Sequence, residues 1–258
     1  MEKNPMITFR HVVKRFEGTK ANAVDDISFD IYKGEFITIL GSSGSGKTTT
    51  LKMMNRLIEA DGGEICMQGE NIEKKDGVEL RKQIGYVVQQ IGLFPHMTVG
   101  ENIGVVPRLL GWDKNRIEKR TKELLEMVGL PREEYGNRYP HALSGGQQQR
   151  VGVARALAAN PDLMLLDEPF GAIDAITRGS LQREIKRIHR EMKDKSFVLV
   201  THDIMEAFFL GTRVMIMNEG KISQFDTPKQ ILRAPADRFV ESLMETLAEQ
   251  QKMLGGLL

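Results

Sequence analysis

The residues from Gly41 to Thr48 have the types and the spacing needed to hold a chain of phosphates. They read Gly-Ser-Ser-Gly-Ser-Gly-Lys-Thr, which fits the pattern G-x-x-x-x-G-K-[ST]. Glycines let successive backbone N–H groups point inward at phosphate oxygens, and a helix N-terminus adds partial positive charge. Lys47 supplies a cation for the outer phosphates, and the Thr48 hydroxyl suits Mg²⁺. The predicted phosphate site comprises Gly41, Ser42, Ser43, Gly44, Ser45, Gly46, Lys47, Thr48 and Thr49.

Two adjacent carboxylates, Asp167 and Glu168, follow a wholly apolar run at Leu163–Leu166. Burying charge at the end of an apolar strand is costly unless a cation or hydrogen bonds compensate for it. Taken alone, the segment fits equally well a strand that ends in a solvated acidic turn. Together with the phosphate loop, it predicts that Asp167 binds the water shell of Mg²⁺ and that Glu168 polarises an attacking water.

A second glycine-rich segment, Leu143–Arg150, reads Leu-Ser-Gly-Gly-Gln-Gln-Gln-Arg. Ser144 can cap a helix that begins near Gln147, and the glycines let backbone amides approach an anion closely. A helix cap alone would also explain these residues. One subunit, however, does not need two phosphate cradles for one nucleotide. The pattern therefore predicts that this loop serves the nucleotide of a partner subunit.

Strands and helices must position these loops, and the hydrophobic pattern predicts both kinds of element. Apolar runs typical of buried strands lie at Phe36–Leu40, Ile84–Val88, Leu163–Leu166 and Phe197–Thr201. Helical spacing is found in Gln147–Ala159 and, through Leu181, Ile185, Ile188 and Met192, in the segment beyond it. Strands that alternate with helices predict an α/β fold with a mainly parallel sheet covered on both faces.

The remaining segments predict additions to this core. Alternating runs at Ile7–Val13 and Asp26–Ile31 are typical of half-exposed antiparallel strands. Glycine and acidic residues predict turns at Asp61–Glu64 and Glu219–Lys221. The charged stretch from Val99 to Pro140 predicts a helical insertion. The tail from Pro235 predicts a helix packed on its own domain through Val240, Leu243, Met244 and Leu247, and a linker helix leading to further modules is the alternative.

Composition excludes several classes of protein. The 36 Lys and Arg residues against 35 Asp and Glu residues give a formal charge of +1, which argues against a nucleic-acid-binding protein with a strongly basic surface. The lone cysteine, Cys66, cannot form an internal disulfide. No run approaches the ~18 apolar residues that a membrane span needs, and the start lacks the apolar stretch of a signal peptide. We expect a globular cytosolic protein without membrane spans of its own.

Together, the motifs resemble those of the ATP-binding cassette (ABC) ATPases over essentially the whole chain. The segment Leu143–Gln147 resembles that family's signature motif and lies in the family's order, between the phosphate loop and the acidic strand. Gln89 resembles the Q-loop glutamine, Gly171–Asp174 the D-loop, and His202 the switch histidine. Phe16 matches the aromatic residue on which adenine stacks.

The resemblance implies a P-loop NTPase core with a mainly parallel sheet flanked by helices, an N-terminal antiparallel β subdomain and a helical insertion. It implies an ATPase domain over residues 1–235, with a helical subdomain at about 99–158, and a helical tail at 236–258. The implied ligands are ATP and Mg²⁺. The implied assembly is a head-to-tail homodimer in which each ATP lies between the phosphate loop of one subunit and the signature loop of the other.

Roles of single residues also follow from the resemblance. Gln89 is expected to touch Mg²⁺ and water, beside the metal ligands Thr48 and Asp167. Glu168 is expected to be the general base, and His202 to bond the γ-phosphate. The signature residues Ser144, Gly145, Gly146 and Gln147, together with Asp174 of the D-loop, are expected to contact nucleotide.

Several branches of the family, and one class outside it, compete for this chain. DNA-repair and chromosome-structure ATPases carry long coiled-coil arms, for which the stretch between Thr48 and Ser144 is too short. Translation factors carry two cassettes, whereas this chain has one phosphate loop. A small-molecule kinase would lack the signature loop. A transport ATPase is the favoured class, and a non-transport ABC ATPase is the alternative.

Within the transporters, the stretch Gln89–Thr98 resembles importers of quaternary-ammonium osmoprotectants such as glycine betaine, carnitine and choline. ATPases of amino-acid importers are the alternative. The resemblance implies integral-membrane permease subunits, an extracytoplasmic solute-binding protein, no nucleic acid, and a place at the cytoplasmic face of the membrane. Relatives in this branch often continue into two CBS modules. Either such modules are absent here or the sequence is a piece of a longer chain.

Overall fold

The computed structural model describes residues 4–89, 92–171 and 173–255 of the chain. Its strands are β1 (Pro5–Lys14), β2 (Val24–Tyr32), β3 (Phe36–Gly41), β4 (Gly62–Met67), β5 (Glu70–Asn71), β6 (Ile84–Val87), β7 (Leu163–Asp167), β8 (Ser196–Thr201), β9 (Arg213–Asn218) and β10 (Lys221–Asp226). Its α-helices are α1 (Lys47–Met54), α2 (Gly77–Lys82), α3 (Val99–Leu109), α4 (Lys114–Met127), α5 (Arg132–Tyr135), α6 (Gly145–Leu157), α7 (Ala175–Glu191), α8 (Ile204–Leu210), α9 (Pro228–Arg233) and α10 (Arg238–Gly255). A single 3₁₀ turn lies at Pro140–Ala142.

Residue contacts divide the chain into two units. The first unit comprises the described residues up to Gly77 and those from Val198 onward, and the second comprises Val78–Phe197. Some residues of the predicted motifs lie outside the described residues, namely Gln90 and Ile91 after the Q-loop glutamine, Ala172 of the D-loop, and residues 256–258 of the tail.

The first unit contains an antiparallel sheet with the strand order β2-β1-β4-β5, which confirms the antiparallel strands predicted near the N-terminus. The predicted turn at Asp61–Glu64 is wrong, because β4 already begins at Gly62. Gly63 has a φ of 84° and lies against the backbone of His11, beside the register shift between β1 and β4. The glycine pattern therefore marks a β-bulge rather than a chain reversal.

The same unit contains the strand order β10-β9-β3-β8, in which β3 and β9 run parallel. Every residue of β3 is buried, as the apolar run predicts for a central strand. The predicted turn at Glu219–Lys221 is confirmed as the two-residue connection between β9 and β10. Its residues Glu219 and Gly220 have φ angles of 47° and 80°, the left-handed values that a tight antiparallel hairpin needs.

The C-terminal helix α10 packs on the first unit through its apolar stripe, which confirms the prediction. Val240 is buried in one cluster with Leu40 and Val214, and Leu243 and Met244 are half-buried against that cluster. None of the helices in the described ranges is both long and apolar enough to cross a membrane.

The second unit combines the parallel pair of β6 and β7 with a group of helices. Helix α3 packs against α4 and α6, so the predicted helical insertion is confirmed as α3, α4, α5 and the 3₁₀ turn. Helix α6 begins at Gly145, two residues before the predicted start at Gln147, because the cap at Ser144 sets the first helical residue regardless of the glycines that follow.

Candidate functional site

The phosphate loop connects the buried strand β3 to helix α1 in the first unit. Gly46 occupies the N-cap position of α1 with a φ of 98°, and no side chain caps the helix there. A Cβ atom at this position would collide with the carbonyl oxygen of Ala23, so the loop requires glycine for space as well as for backbone angle. Glycine in place of a capping side chain is typical of a loop that leads into a phosphate-binding helix N-terminus.

The loop is wrapped around the Lys47 side chain. Lys47 is 6% exposed, and its Nζ donates hydrogen bonds to the carbonyl oxygens of Gly41 at 2.9 Å and Ser42 at 2.8 Å. Within the described part of the chain, the Oγ atom of buried Ser45 has no hydrogen-bond partner. A buried hydroxyl without a partner is costly. The fit to the predicted phosphate ligand rests instead on the left-handed Gly46 at the start of α1 and on the enclosed Lys47 ammonium.

The acidic pair lies at the carboxyl end of β7 in the second unit. Asp167 is 4% exposed, and the Tyr86 hydroxyl donates to its Oδ2 at 3.3 Å. Glu168 follows with a φ of 44°, a left-handed value that is strained for a residue other than glycine. Gln89 Nε2 donates to Glu168 Oε2 at 3.2 Å. The structure thus brings together two predicted site residues, Gln89 and Glu168.

Tyr86 was not among the predicted site residues. In the parallel pairing of β6 and β7 it is level with Leu165, so its side chain shares a face with Asp167 two residues along β7. Burial raises the pKa of the Tyr86 phenol, and the charge of Asp167 raises it further. The hydroxyl therefore stays protonated and can donate. The available signal was a tyrosine inside the otherwise apolar run Ile84–Val88.

The signature segment forms a capping box at the start of α6. The Gln147 N–H donates to Ser144 Oγ at 3.3 Å, and the Ser144 N–H donates to Gln147 Oε1 at 2.9 Å. Gln147 Nε2 also donates to the Tyr135 hydroxyl at 3.3 Å, a contact that the sequence did not reveal. Gly146 packs so closely on Thr177 that a Cβ atom would collide with the threonine methyl group. Gly145 has open space around it.

Three further predicted residues lie on exposed segments. Asp174 is the N-cap of α7 and accepts from the Thr177 N–H at 3.0 Å, a bond that lowers the pKa of the carboxyl group. His202 is exposed and follows β8 directly. Phe16 lies two residues beyond β1, is 40% exposed, and has the Lys14 ammonium 5.7 Å from its ring centroid. An exposed ring at this position is available for stacking.

Taken separately, the predicted metal ligands of the two units carry donor atoms of the types that Mg²⁺ prefers. Asp167 offers a buried carboxylate and Thr48 a hydroxyl, and Mg²⁺ is usually bound by one or two carboxylates together with substrate phosphates. Among the described residues there is no group of three or more His, Cys, Asp or Glu side chains that could hold a metal ion.

Comparison with known proteins gives a family match and close relatives. A family model described as ABC transporter matches residues 24–171. The chain is 55% identical over 239 residues to the glycine betaine/carnitine/choline transport ATP-binding protein OpuCA of Bacillus subtilis, covering 93% of this chain and 62% of that protein. It is 54% identical over 239 residues to the carnitine transport ATP-binding protein OpuCA of Listeria monocytogenes, covering 93% and 59%. The chain thus spans about three fifths of the length of these relatives.

A solved structure shares the fold. The dimeric ATP-binding cassette MJ0796, in a post-hydrolysis state bound to ADP and Pi, superposes with a TM-score of 0.76 at 34% identity. The match covers 86% of this chain and 99% of that one. It confirms the predicted α/β nucleotide-binding fold.

Proposed function

The chain belongs to the ABC transporter family, and from this premise we propose that it is the ATP-hydrolysing subunit of an importer for a quaternary-ammonium osmoprotectant. Glycine betaine, carnitine and choline are the solutes in the names of relatives that are 54% and 55% identical over 93% of the chain. That likeness favours the osmoprotectant class over amino-acid import. The permease would be a separate set of integral-membrane subunits, supplied by an extracytoplasmic solute-binding protein, with this chain at the cytoplasmic face.

The observation that carries ATP binding is the phosphate loop, with the left-handed Gly46 at the start of α1 and the buried Lys47 ammonium. In the proposal, Lys47 and the loop amides neutralise the charge that develops on the phosphates during hydrolysis. Phe16 stacks on adenine, and His202 bonds the γ-phosphate.

The acidic pair supplies the proposed hydrolytic chemistry. Glu168 accepts the proton of the attacking water, and Gln89 holds the Glu168 carboxylate through the 3.2 Å hydrogen bond. Asp167, Thr48 and Gln89 are the proposed Mg²⁺ ligands, directly or through water. When bound, Mg²⁺ would neutralise phosphate charge.

We further propose a homodimer with ATP at its interface. The capping box at Ser144 already holds the start of α6 in a fixed conformation. With Gly145, Gly146 and Gln147 it would contact the nucleotide of a second copy, and Asp174 would lie at the same interface. Hydrolysis of the shared ATP to ADP and phosphate would remove the contact that the nucleotide makes and let the two copies separate.

The substitution Glu168→Gln tests the hydrolytic part of the proposal. We expect ATPase activity to fall about a hundredfold or more, because the amide cannot accept the proton of the attacking water. ATP binding should persist, and the ATP-bound dimer should last longer in size-exclusion chromatography. Glu219→Gln is a matched control, since Glu219 also has a left-handed φ, of 47°. Hydrolysis at the parental rate in Glu168→Gln would overturn the assignment of the base.

The solute is tested by reconstitution of the chain with its permease and binding protein in vesicles. Glycine betaine, carnitine or choline should stimulate ATPase activity several-fold, whereas amino acids should not. Stimulation by an amino acid alone would reject the osmoprotectant class while leaving the ATPase assignment intact.

A further inference from the structure

Strand β6 and the residues after it provide one hydrogen-bond donor to each member of the acidic pair. Gln89 Nε2 contacts Glu168, as described above. The Tyr86 hydroxyl contacts Asp167 Oδ2 at 3.3 Å. The backbone positions of Tyr86 and Asp167 are fixed by regular structure, because these two residues lie within the parallel strands β6 and β7.

Building on the proposed function, we propose that Tyr86 is a positioning residue that orients the Asp167 carboxylate for Mg²⁺. A carboxylate rotates about its last side-chain bond unless a partner fixes it. The Tyr86 hydroxyl engages Oδ2 at 3.3 Å and so restricts this rotation. Donors that hold a ligating carboxylate in this way raise metal affinity because the ligand is already in its binding orientation.

Two properties make the phenol suited to this role. It is held on the regular strand β6, whose parallel register with β7 fixes where the hydroxyl lies. It also carries no charge, so it does not compete with the cation as an arginine or lysine would. Asp167 itself is 4% exposed, and solvent therefore contributes little to fixing its orientation.

The test removes only the hydroxyl, in Tyr86→Phe, and measures metal binding directly. Mn²⁺ is titrated into the full chain saturated with ATP and followed by electron paramagnetic resonance. We expect the Kd for Mn²⁺ to rise about tenfold, the lower end of what loss of such a partner costs. ATP binding in the presence of EDTA should be unchanged. Tyr139→Phe is the matched control, since it removes the hydroxyl of a 43% exposed tyrosine in the same unit.

A double-substitution cycle separates positioning from general support of the fold. In an Asp167→Asn background, Tyr86→Phe should produce no further loss of Mn²⁺ affinity, because the group that it orients is already changed. Unchanged Mn²⁺ affinity in Tyr86→Phe would overturn the inference. The inference would also be overturned if the losses of Mn²⁺ affinity in the two single variants added fully in the double variant. An equal loss of ATP binding without metal in Tyr86→Phe would overturn it as well.

Measurements on the parent protein distinguish a failure of this inference from a failure of the proposed function. A parent that neither binds Mn²⁺ in an ATP-dependent manner nor hydrolyses ATP would refute the proposed function itself. A parent that does both, beside a Tyr86→Phe variant with parental Mn²⁺ affinity, would refute only the role of Tyr86.

Discussion

Two helix N-termini in this chain, those of α1 and α6, lie in glycine-rich segments but are built in different ways. Helix α1 starts at a left-handed glycine without a side-chain cap, and the loop before it encloses Lys47. Helix α6 starts at a complete capping box, in which Ser144 and Gln147 satisfy each other's backbone N–H groups. One helix start therefore has an enclosed cation and a glycine in the capping position, whereas the other is capped by its own side chains.

The difference indicates how each loop would meet a phosphate. The loop before α1 encloses the Lys47 ammonium, whose charge a phosphate would match. The start of α6 is instead shaped by its own capping side chains before any ligand arrives. A preformed surface suits a contact that must form and break with a second copy, because little ordering is needed at each encounter.

The largest effect is expected from Lys47→Ala. Loss of the only cation that the loop encloses among the described residues should lower ATPase activity about a hundred- to a thousandfold, as loss of one preorganised donor does. Lys33→Ala, at an exposed position in the same unit, is the control. ATPase activity of Lys47→Ala within a factor of three of the parent would show that the phosphate loop does not depend on the Lys47 charge.

A second prediction concerns the backbone of the same loop. Gly46→Ala forces a left-handed φ and a collision with the Ala23 carbonyl, so we expect a loss of about 2 to 3 kcal/mol in unfolding free energy. Gly44→Ala has a φ of 78° but open space, and should cost about 1 kcal/mol. Urea unfolding measures both, and equal losses would rule out the collision as the cause.

The capping box at α6 is broken by Ser144→Ala. We expect a loss of about 1 kcal/mol in unfolding free energy, together with weakened ATP-dependent dimerisation. The box formed by Thr98 and Glu101 at the start of α3 offers the control. Thr98→Ala should lose the same stability but leave dimerisation unchanged. If Ser144→Ala and Thr98→Ala dimerise equally well, the start of α6 has no role in dimerisation beyond capping its helix.

The smallest effect concerns the cap of α7. The Thr177 N–H bond lowers the pKa of Asp174, so folding is favoured above the ordinary aspartate pKa and this contribution is lost as pH falls through the depressed value. Asp174→Asn keeps a capping oxygen that does not titrate. The difference in urea midpoint between parent and variant should be constant above about pH 5 and change below about pH 4. A difference in urea midpoint that stays the same at all pH values would contradict the stabilising role of the ionised Asp174 carboxylate.

Part of this architecture could be predicted from the sequence, and the reasons differ by element. The run Phe36–Leu40 is apolar throughout because β3 is buried on both faces, so the pattern alone identified a central strand. The turn predicted at Asp61–Glu64 was wrong because a left-handed glycine serves a bulge as well as a turn, and the choice depends on the strand beside it. The start of α6 was placed two residues late because the two glycines after the Ser144 cap are poor helix formers, yet they form its first turn.

The sequence by itself determined the phosphate loop, the capping residues and the acidic pair, since each is a local pattern whose chemistry depends on spacing of a few residues. Only the tertiary structure decided that Tyr86 meets Asp167 and that Gln89 meets Glu168. These partners are about eighty residues apart in the chain, and the parallel register of β6 and β7 brings them to one edge. Register is set by packing of whole strands, which no local pattern records.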